Sequence, residues 1–300
     1  MSFFASLFSQ PNPRGPPLRQ AVAPRPGEII PSPRYPNAYQ FGPRIGEGSF
    51  SVVFCCTDRS RYALAAKVLK PNGTYEAVKA AAEREFGKLE ALGHPCVVRV
   101  FDAFEYRDTF YLIMERCASS LAEILPRIGR NGLSWVAPVA EGVLTALDYL
   151  HSQLYSHQDL HLANVFASIP AQWLGRVDPR TVQFKIGDLG VAKLFHELSP
   201  TNTRADWMLP PEARDPQQFG PVDYRVDLYH AGLLLLQVAF GRELRFSAAE
   251  ILEGVPRACA LGLPRSFAFP LEGALRRHVS ERTASAMQLL DGLRSANASF

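Results

Sequence analysis

Two short stretches decide the fold: His157-Gln158-Asp159-Leu160-His161-Leu162-Ala163-Asn164 and, about twenty residues on, Lys185-Ile186-Gly187-Asp188-Leu189-Gly190. In the first, an Asp and an Asn stand five residues apart in what reads as a tight loop. Asp159 can accept or orient the proton of an attacking hydroxyl, while Asn164 offers a neutral oxygen to Mg²⁺. In the second, a strand ends in a carboxylate followed by glycine. Asp188 is the natural main metal ligand, because hard cations prefer charged oxygen. Either stretch alone reads equally well as a turn with a capping Asp. Their order and spacing together argue against that.

Working outward towards the N-terminus, Ile45-Gly46-Glu47-Gly48-Ser49-Phe50-Ser51-Val52-Val53 places a Gly-x-Gly turn between two strand-like runs. Without Cβ atoms, such a turn can bring backbone N–H groups against phosphate oxygens. No Gly-Lys-[Ser/Thr] follows, so it is not a P-loop. One strand later comes Ala65-Ala66-Lys67, where a strand-borne lysine supplies a point charge for phosphates. Glu85 is its candidate partner, in the pattern Glu85-x-x-x-Leu89-x-x-Leu92-x-His94-Pro95. Taken singly, a surface lysine and a solvated glutamate are the commoner fates of such residues.

Around these motifs, strand-like segments fall at 39–45, 52–58, 62–69, 97–105 and 109–115, with a helical pattern over 75–92. Beyond Cys117 the texture is helical. Residues 134–153 carry Val139, Val143, Leu147 and Leu150 on one stripe, and 226–240 is apolar nearly all round, as befits a buried central helix. An amphipathic helix at 281–293 closes the series. The expected fold class is α+β, with a small β-rich lobe (39–116), a larger helical lobe (117–295) and a ligand cleft between them. Residues 1–38 read as a Pro-rich disordered tail that could dock a Pro-binding partner, and 296–300 as a short C-terminal tail.

Composition excludes some classes. The net charge is +3, and the Lys and Arg residues are scattered rather than banked, which argues against a nucleic-acid binder. Five cysteines form no C-x-x-C pair and read as reduced thiols. The most apolar run, 231–240, is far short of the ~20 residues a bilayer needs, and the first residues lack the charge pattern of a signal peptide. A cytoplasmic location is expected.

In these motifs the chain resembles the eukaryotic-type (Hanks-type) serine/threonine protein kinases, over about 39–293. The resemblance implies an ATP- and Mg²⁺-dependent (or Mn²⁺-dependent) phosphotransferase acting on a protein hydroxyl. It would make Ile45, Gly46, Glu47 and Gly48 the nucleotide loop, with Val53, Ala65 and Phe166 against the adenine. Lys67, paired with Glu85, would hold the α- and β-phosphates. Met114 would be the gatekeeper, with Glu115 to Cys117 hydrogen-bonding the base. Asp159 would be the catalytic base, and Asn164 and Asp188 the metal ligands. Pro210-Pro211-Glu212 stands where the family has Ala-Pro-Glu, Arg282 fits that glutamate's partner, and Asp227 fits the aspartate that braces the catalytic loop. Leu89, Val100, His157 and Leu189 match its hydrophobic column.

The departures are specific. Ser51 replaces the third loop glycine. Gln158 replaces the arginine that receives an activation-segment phosphate, so activity is not expected to need one. His161 replaces the lysine that neutralises the γ-phosphate, and a neutral imidazole cannot supply that full charge. Ala205 replaces the threonine that contacts the same aspartate and lysine. Asp159-Leu160-His161 also resembles the loop of aminoglycoside- and choline-kinase-like enzymes. Two other readings therefore stay open at this level: a pseudokinase scaffold and a small-molecule phosphotransferase. The insertion at 170–181 is longer than the family usually has.

Overall fold

The computed structural model describes residues 23–33, 38–199 and 209–297. Thr201, Thr203, Ala205 and most of the Pro-rich stretch lie outside the described residues. The chain divides into two compact units: the described residues up to Gly93 together with Val98–Arg116, and His94–Val97 together with the residues from Cys117 on.

The first unit is a six-stranded antiparallel sheet in the order β1-β2-β3-β4-β6-β5. Its strands are β1 (Ile29–Pro31), β2 (Ala38–Glu47), β3 (Ser51–Thr57), β4 (Ala63–Leu69), β5 (Val100–Tyr106) and β6 (Thr109–Glu115). Between β4 and β5 runs α1 (Tyr75–Ala91), begun by Thr74, whose side chain accepts from Ala77 N. Strand alternation sorts the side chains onto two faces. Leu64, Ala66 and Val68 of β4 join Phe41, Phe54, Tyr111 and Ile113 in one cluster. Leu69, Leu112 and Met114 join Ala82 and Phe86 of α1 in the other. Lys67 stands on this second face, because it lies two residues before Leu69 and directly opposite Leu112.

Two expectations need correction here. Residues 29–31, placed in a disordered tail, form an edge strand, with Ile30 paired to Tyr39 and 1% exposed. Burying Ile30 and pairing its backbone outweighs the local Pro content, and Pro31 sits at the strand end on the sheet edge, where proline is tolerated. The strand expected at 97–105 starts only at Val100, because Val97 bridges Ile186 in parallel and Cys96 O accepts from Ile186 N at 2.9 Å. The His94 ring stacks on Tyr149 at 4.7 Å. His94–Val97 therefore belong to the second unit.

That unit opens with β7 (Ser119–Ser120) and α2 (Leu121–Ile128), started by a capping box of Ser120 and Glu123. Next come α3 (Gly132–Ser152), β8 (Tyr155–Ser156), β9 (Val165–Ala167), β10 (Phe184–Ile186) and β11 (Lys193–Leu194). Strands β10, β9 and β7 form one ribbon, and β11 pairs with β8. The insertion at 170–181 is two 3₁₀ turns, Ala171–Arg176 and Pro179–Thr181, the second capped by Asp178. The chain continues through α4 (Pro211–Arg214), α5 (Pro216–Phe219), α6 (Arg225–Phe240), α7 (Ala248–Glu253), α8 (Val255–Leu261), α9 (Arg265–Ala274) and α10 (Ala286–Asn297).

Helix α6 is buried along its length up to Ala239, as its all-round apolarity predicts. It ends at Gly241 in the left-handed region, φ 61°, where a Cβ would come within 1.7 Å of Gly129 O. A Cβ on Gly132 would stand 2.3 Å from Ala239 O and Val238 O, so two backbones meet here with no side chain between them. The last helix starts at Ala286 rather than 281 and runs past 295 to Asn297. The chain before it is held by Arg282, whose five donors are all used: Glu212 Oε1 and Oε2 at 2.6 and 2.7 Å, and the carbonyls of Arg276, Arg225 and Arg277. Both side chains of this fork are 0% exposed. No helix among the described residues is long and apolar enough to cross a membrane.

Candidate active site

In the sheet unit, strand register gathers the expected nucleotide residues. Val53 is opposite Lys67 and Gly46 opposite Val53, while Ala65 is opposite Met114. Val53, Ala65, Lys67 and Met114 thus share one face, next to α1. Lys67 Nζ donates to Glu85 Oε1 at 2.6 Å, with both side chains below a tenth exposed. Glu85 faces inward because it lies one turn from Leu89 and beside Phe86 on the buried side of α1.

The glycine loop is tied from its own sheet. Gly48 N donates to Ser51 O at 2.9 Å, which closes the turn. Lys70 Nζ donates to Glu47 Oε1 at 2.7 Å and to Gly48 O at 2.8 Å, and Asn72 Nδ2 to Ser49 O at 3.0 Å. The hydrogen bond and charge of Lys70, with Arg44 beside it, hold the Glu47 carboxyl below its usual range. Ile45 is about half exposed, as is Phe50 at the tip. Sequence reading passed over Lys70 and Asn72. The signal available was a charge of opposite sign to Glu47, three residues beyond Lys67. Glu115, at the end of β6, donates its N–H to Arg99 O at 2.8 Å.

In the helical unit, Cys117 precedes Ala118, whose N–H donates to Ala167 O at 3.0 Å. Phe166 stands in β9 between Ser120 and Lys185. Asp227, in the first turn of α6, organises the neighbouring loop. Its Oδ2 accepts from His157 N (2.8 Å), Ser156 Oγ (2.9 Å) and His151 Nε2 (2.9 Å), and its Oδ1 from Gln158 N (2.9 Å). Burial alone would raise its pKa. The hydrogen bond and charge of His151, then His157 and the Gln158 N–H, outweigh that and hold it at about 2.

The pinned loop presents Asp159. Its N–H donates to His157 Nδ1 at 3.3 Å, so neutral His157 carries its proton on Nε2, which donates to Gly187 O at 3.1 Å. One imidazole therefore links the Asp159 backbone to the turn that carries Asp188. Gly187 N also donates to Asn164 O at 2.9 Å. Asp188 sits at φ 60° with Gly190 N donating to its Oδ1 at 3.4 Å. Asn164 Nδ2 donates to Asp159 O at 2.8 Å, which fixes the amide nitrogen and leaves the amide oxygen as the atom for a cation.

His161 lies where the sequence placed it, with Nε2 3.6 Å from Asp159 Oδ2. Its Nδ1 accepts from Ala163 N at 3.2 Å, so the neutral ring carries its proton on the Nε2 that faces the carboxylate. Asn164 Nδ2 also comes within 3.1 Å of Nε2. Two donors cannot satisfy each other, so that approach is a contact only. Burial pushes the Asp159 pKa up, but the attraction of the His161 ring, with His157 and His230 behind it, holds it below the usual carboxylate range.

The donor set suits a small hard cation. Asn164 and Asp188 each offer oxygen, and Mg²⁺ commonly takes only one or two protein ligands beside phosphate and water. Among the described residues no cluster of three His, Cys, Asp or Glu side chains forms a ready-made metal cage. His151 and Ser156 were missed in sequence; neither falls on an apolar period or in a motif.

Compared with known families, residues 39–293 match the protein kinase domain. The serine/threonine-protein kinase ATG1a of Arabidopsis thaliana is 27% identical over 215 residues, covering 70% of this chain and 33% of that protein. Bovine (Bos taurus) serine/threonine-protein kinase 33 is 30% identical over 164 residues, covering 54% of this chain and 33% of its own length. Human (Homo sapiens) serine/threonine-protein kinase STK11 is 26% identical over 239 residues, 71% of this chain and 51% of STK11. The chain spans a third to a half of the length of these relatives. With the family matched over all but the two ends, and with a β-rich unit and a helical unit that carry its motifs in order, the chain belongs to the protein kinase family of the Hanks serine/threonine type.

Proposed function

We propose that this chain transfers the γ-phosphoryl group of ATP to serine or threonine hydroxyls of a protein substrate, with Mg²⁺ as the metal and Mn²⁺ as a substitute. The observation that carries the reading is the linked set of Asp159, Asn164 and the Gly187–Asp188 turn, held together by His157 and by the Gly187 N–H to Asn164 O bond. In this reading Lys67, held in place by Glu85, binds the α- and β-phosphates. The Gly46–Gly48 turn offers backbone N–H groups, and Val53, Ala65, Met114, Glu115, Cys117 and Phe166 serve the base. Asn164 and Asp188 would hold the metal, which would draw negative charge off the transferred phosphoryl group.

Asp159 orients the acceptor hydroxyl. A carboxylate held below its usual pKa is a poor early base, so it receives the proton late, as bond formation to phosphorus makes the hydroxyl acidic. His161 donates its Nε2 proton towards Asp159, which supplies orientation where the family's lysine supplies charge. The intact Lys67–Glu85 pair and the two oxygen donors count against a scaffold that only binds partners. We place the protein in the cytoplasm.

The full chain, incubated with γ-labelled ATP, Mg²⁺ and casein, is expected to label itself or casein on serine or threonine. Lys67→Met and Asp188→Asn should each abolish labelling with folding retained. No transfer by the wild type, or full transfer by either variant, would overturn the assignment.

A further inference from the structure

The loop that carries Asp159 is held by more than the Asp227 carboxylate. Ser156 Oγ donates to Asp227 Oδ2 at 2.9 Å and accepts from Gln158 Nε2 at 2.6 Å, so its hydroxyl is used in both directions. Ser156 is 0% and Gln158 2% exposed. Gln158 also takes a left-handed backbone, φ 68°, uncommon for a residue with a Cβ and stabilised by its N–H to Asp227 Oδ1. Its side chain thus turns back into the loop, and its Oε1 is buried with no hydrogen-bond partner.

The chain that follows the Asp188 turn is tied to the same place. Lys193 pairs with Ser156 and Leu194 with Tyr155, and Phe195 N donates to Leu154 O at 2.9 Å. The Phe195 ring stacks on Tyr224 at 5.0 Å and meets the edge of His151 at 5.9 Å. His151 in turn contacts Tyr224 at 5.0 Å while its Nε2 reaches Asp227. A polar relay and an aromatic trio therefore converge on one carboxylate, all inside the helical unit.

We propose that Ser156, Gln158 and Phe195 are positioning residues for phosphoryl transfer. Resting on the kinase reading above, they hold the Asp159 loop and the start of the segment after Asp188 in working arrangement through internal contacts, with no phosphate on the chain required. Gln158 cannot bind an anion as an arginine would, and the Ser156 hydroxyl engages its amide where a phosphate would engage that arginine.

The test uses the full chain treated with phosphatase, its unphosphorylated state checked by intact mass, against ATP and casein. Treated and untreated wild type should give the same initial rate within twofold. Gln158→Leu should lower kcat at least tenfold with KM for ATP within twofold. Its melting temperature should hold or rise, since the substitution deletes an unsatisfied buried oxygen. That split separates positioning from a structural role, which would lower stability and rate together. Phe195→Leu should lower kcat severalfold and is read independently if Gln158→Leu does not fold. Wild-type kcat in both variants, or a rate lost on dephosphorylation alone, overturns the proposal while leaving the kinase reading standing. No transfer by either form of the wild type overturns the kinase reading itself.

Discussion

Asp159 and Asp227 are joined through His157, yet they live in opposite electrostatic conditions. Asp227 is fully buried and accepts four hydrogen bonds, two of them from backbone N–H groups. Asp159 keeps about a quarter of its side chain exposed, and among the described residues its carboxylate is met only at long range, 3.4 Å from Asn164 Nδ2 and 3.6 Å from His161 Nε2. The first carboxylate has spent its acceptor capacity on the fold. The second has most of its own left over. In the proposed reading, what separates an aspartate that builds the site from one that works in it is the number of lone pairs left over, not sequence distance or burial alone.

Substitution at each aspartate should break the pair in opposite ways. Asp159→Asn is expected to lower kcat about a thousandfold while shifting the melting temperature little, because few donors point at its carboxylate. Asp227→Asn should do the reverse first. It turns one of the two acceptor oxygens into a donor in a site lined by four donors, and should cost at least about 3 kcal/mol of stability, measured by urea unfolding at neutral pH. Equal stability losses in the two variants would erase the distinction.

Acid sharpens the same contrast. The folded pKa of Asp227, about 2, lies below the ordinary carboxylate value, so its contribution is present above roughly pH 4 and is lost as pH falls towards 2. That contribution is about 2 kcal/mol. The stability of Asp227→Asn should therefore fall less steeply over that window than the wild type's, and a parallel slope would be inconsistent with the carboxylate's role. The smallest effect concerns His161→Lys. If the ring only orients Asp159, a lysine should keep the rate within about threefold or raise it, as steady-state transfer would report. A tenfold fall would mean that the imidazole has work of its own.

The sequence made much of this legible, for reasons that differ by region. Lys67 and Glu85 could be paired from spacing because a strand and a helix of ordinary period each present one face. Asp159, Asn164 and Asp188 stood out as candidates because the proposed chemistry permits few substitutes. Glu212 and Arg282, seventy residues apart, were reachable through the family resemblance alone. The misses share another cause. Residues 29–31 pair by backbone, which composition does not register, and the strand at 97 is shortened by a bridge to Ile186 that no local signal announces. His151 and Ser156 reach the site through Asp227, some seventy residues on. Side chains that act through another side chain leave no pattern in their own neighbourhood.

The glycines where α6 meets the junction of α2 and α3 carry a consequence for anyone who surveys this chain by exhaustive substitution. At Gly241 even alanine would drive a methyl into the Gly129 carbonyl, and at Gly132 into two carbonyls of α6. Both positions would be as blank in a tolerance map as Asp188. A ranking by intolerance alone would then mark two hot spots, one at the proposed metal ligand and one a bare meeting of backbones. Scoring folded yield beside turnover would tell them apart, since the glycine variants should vanish from both readouts and those at Asp188 from turnover only.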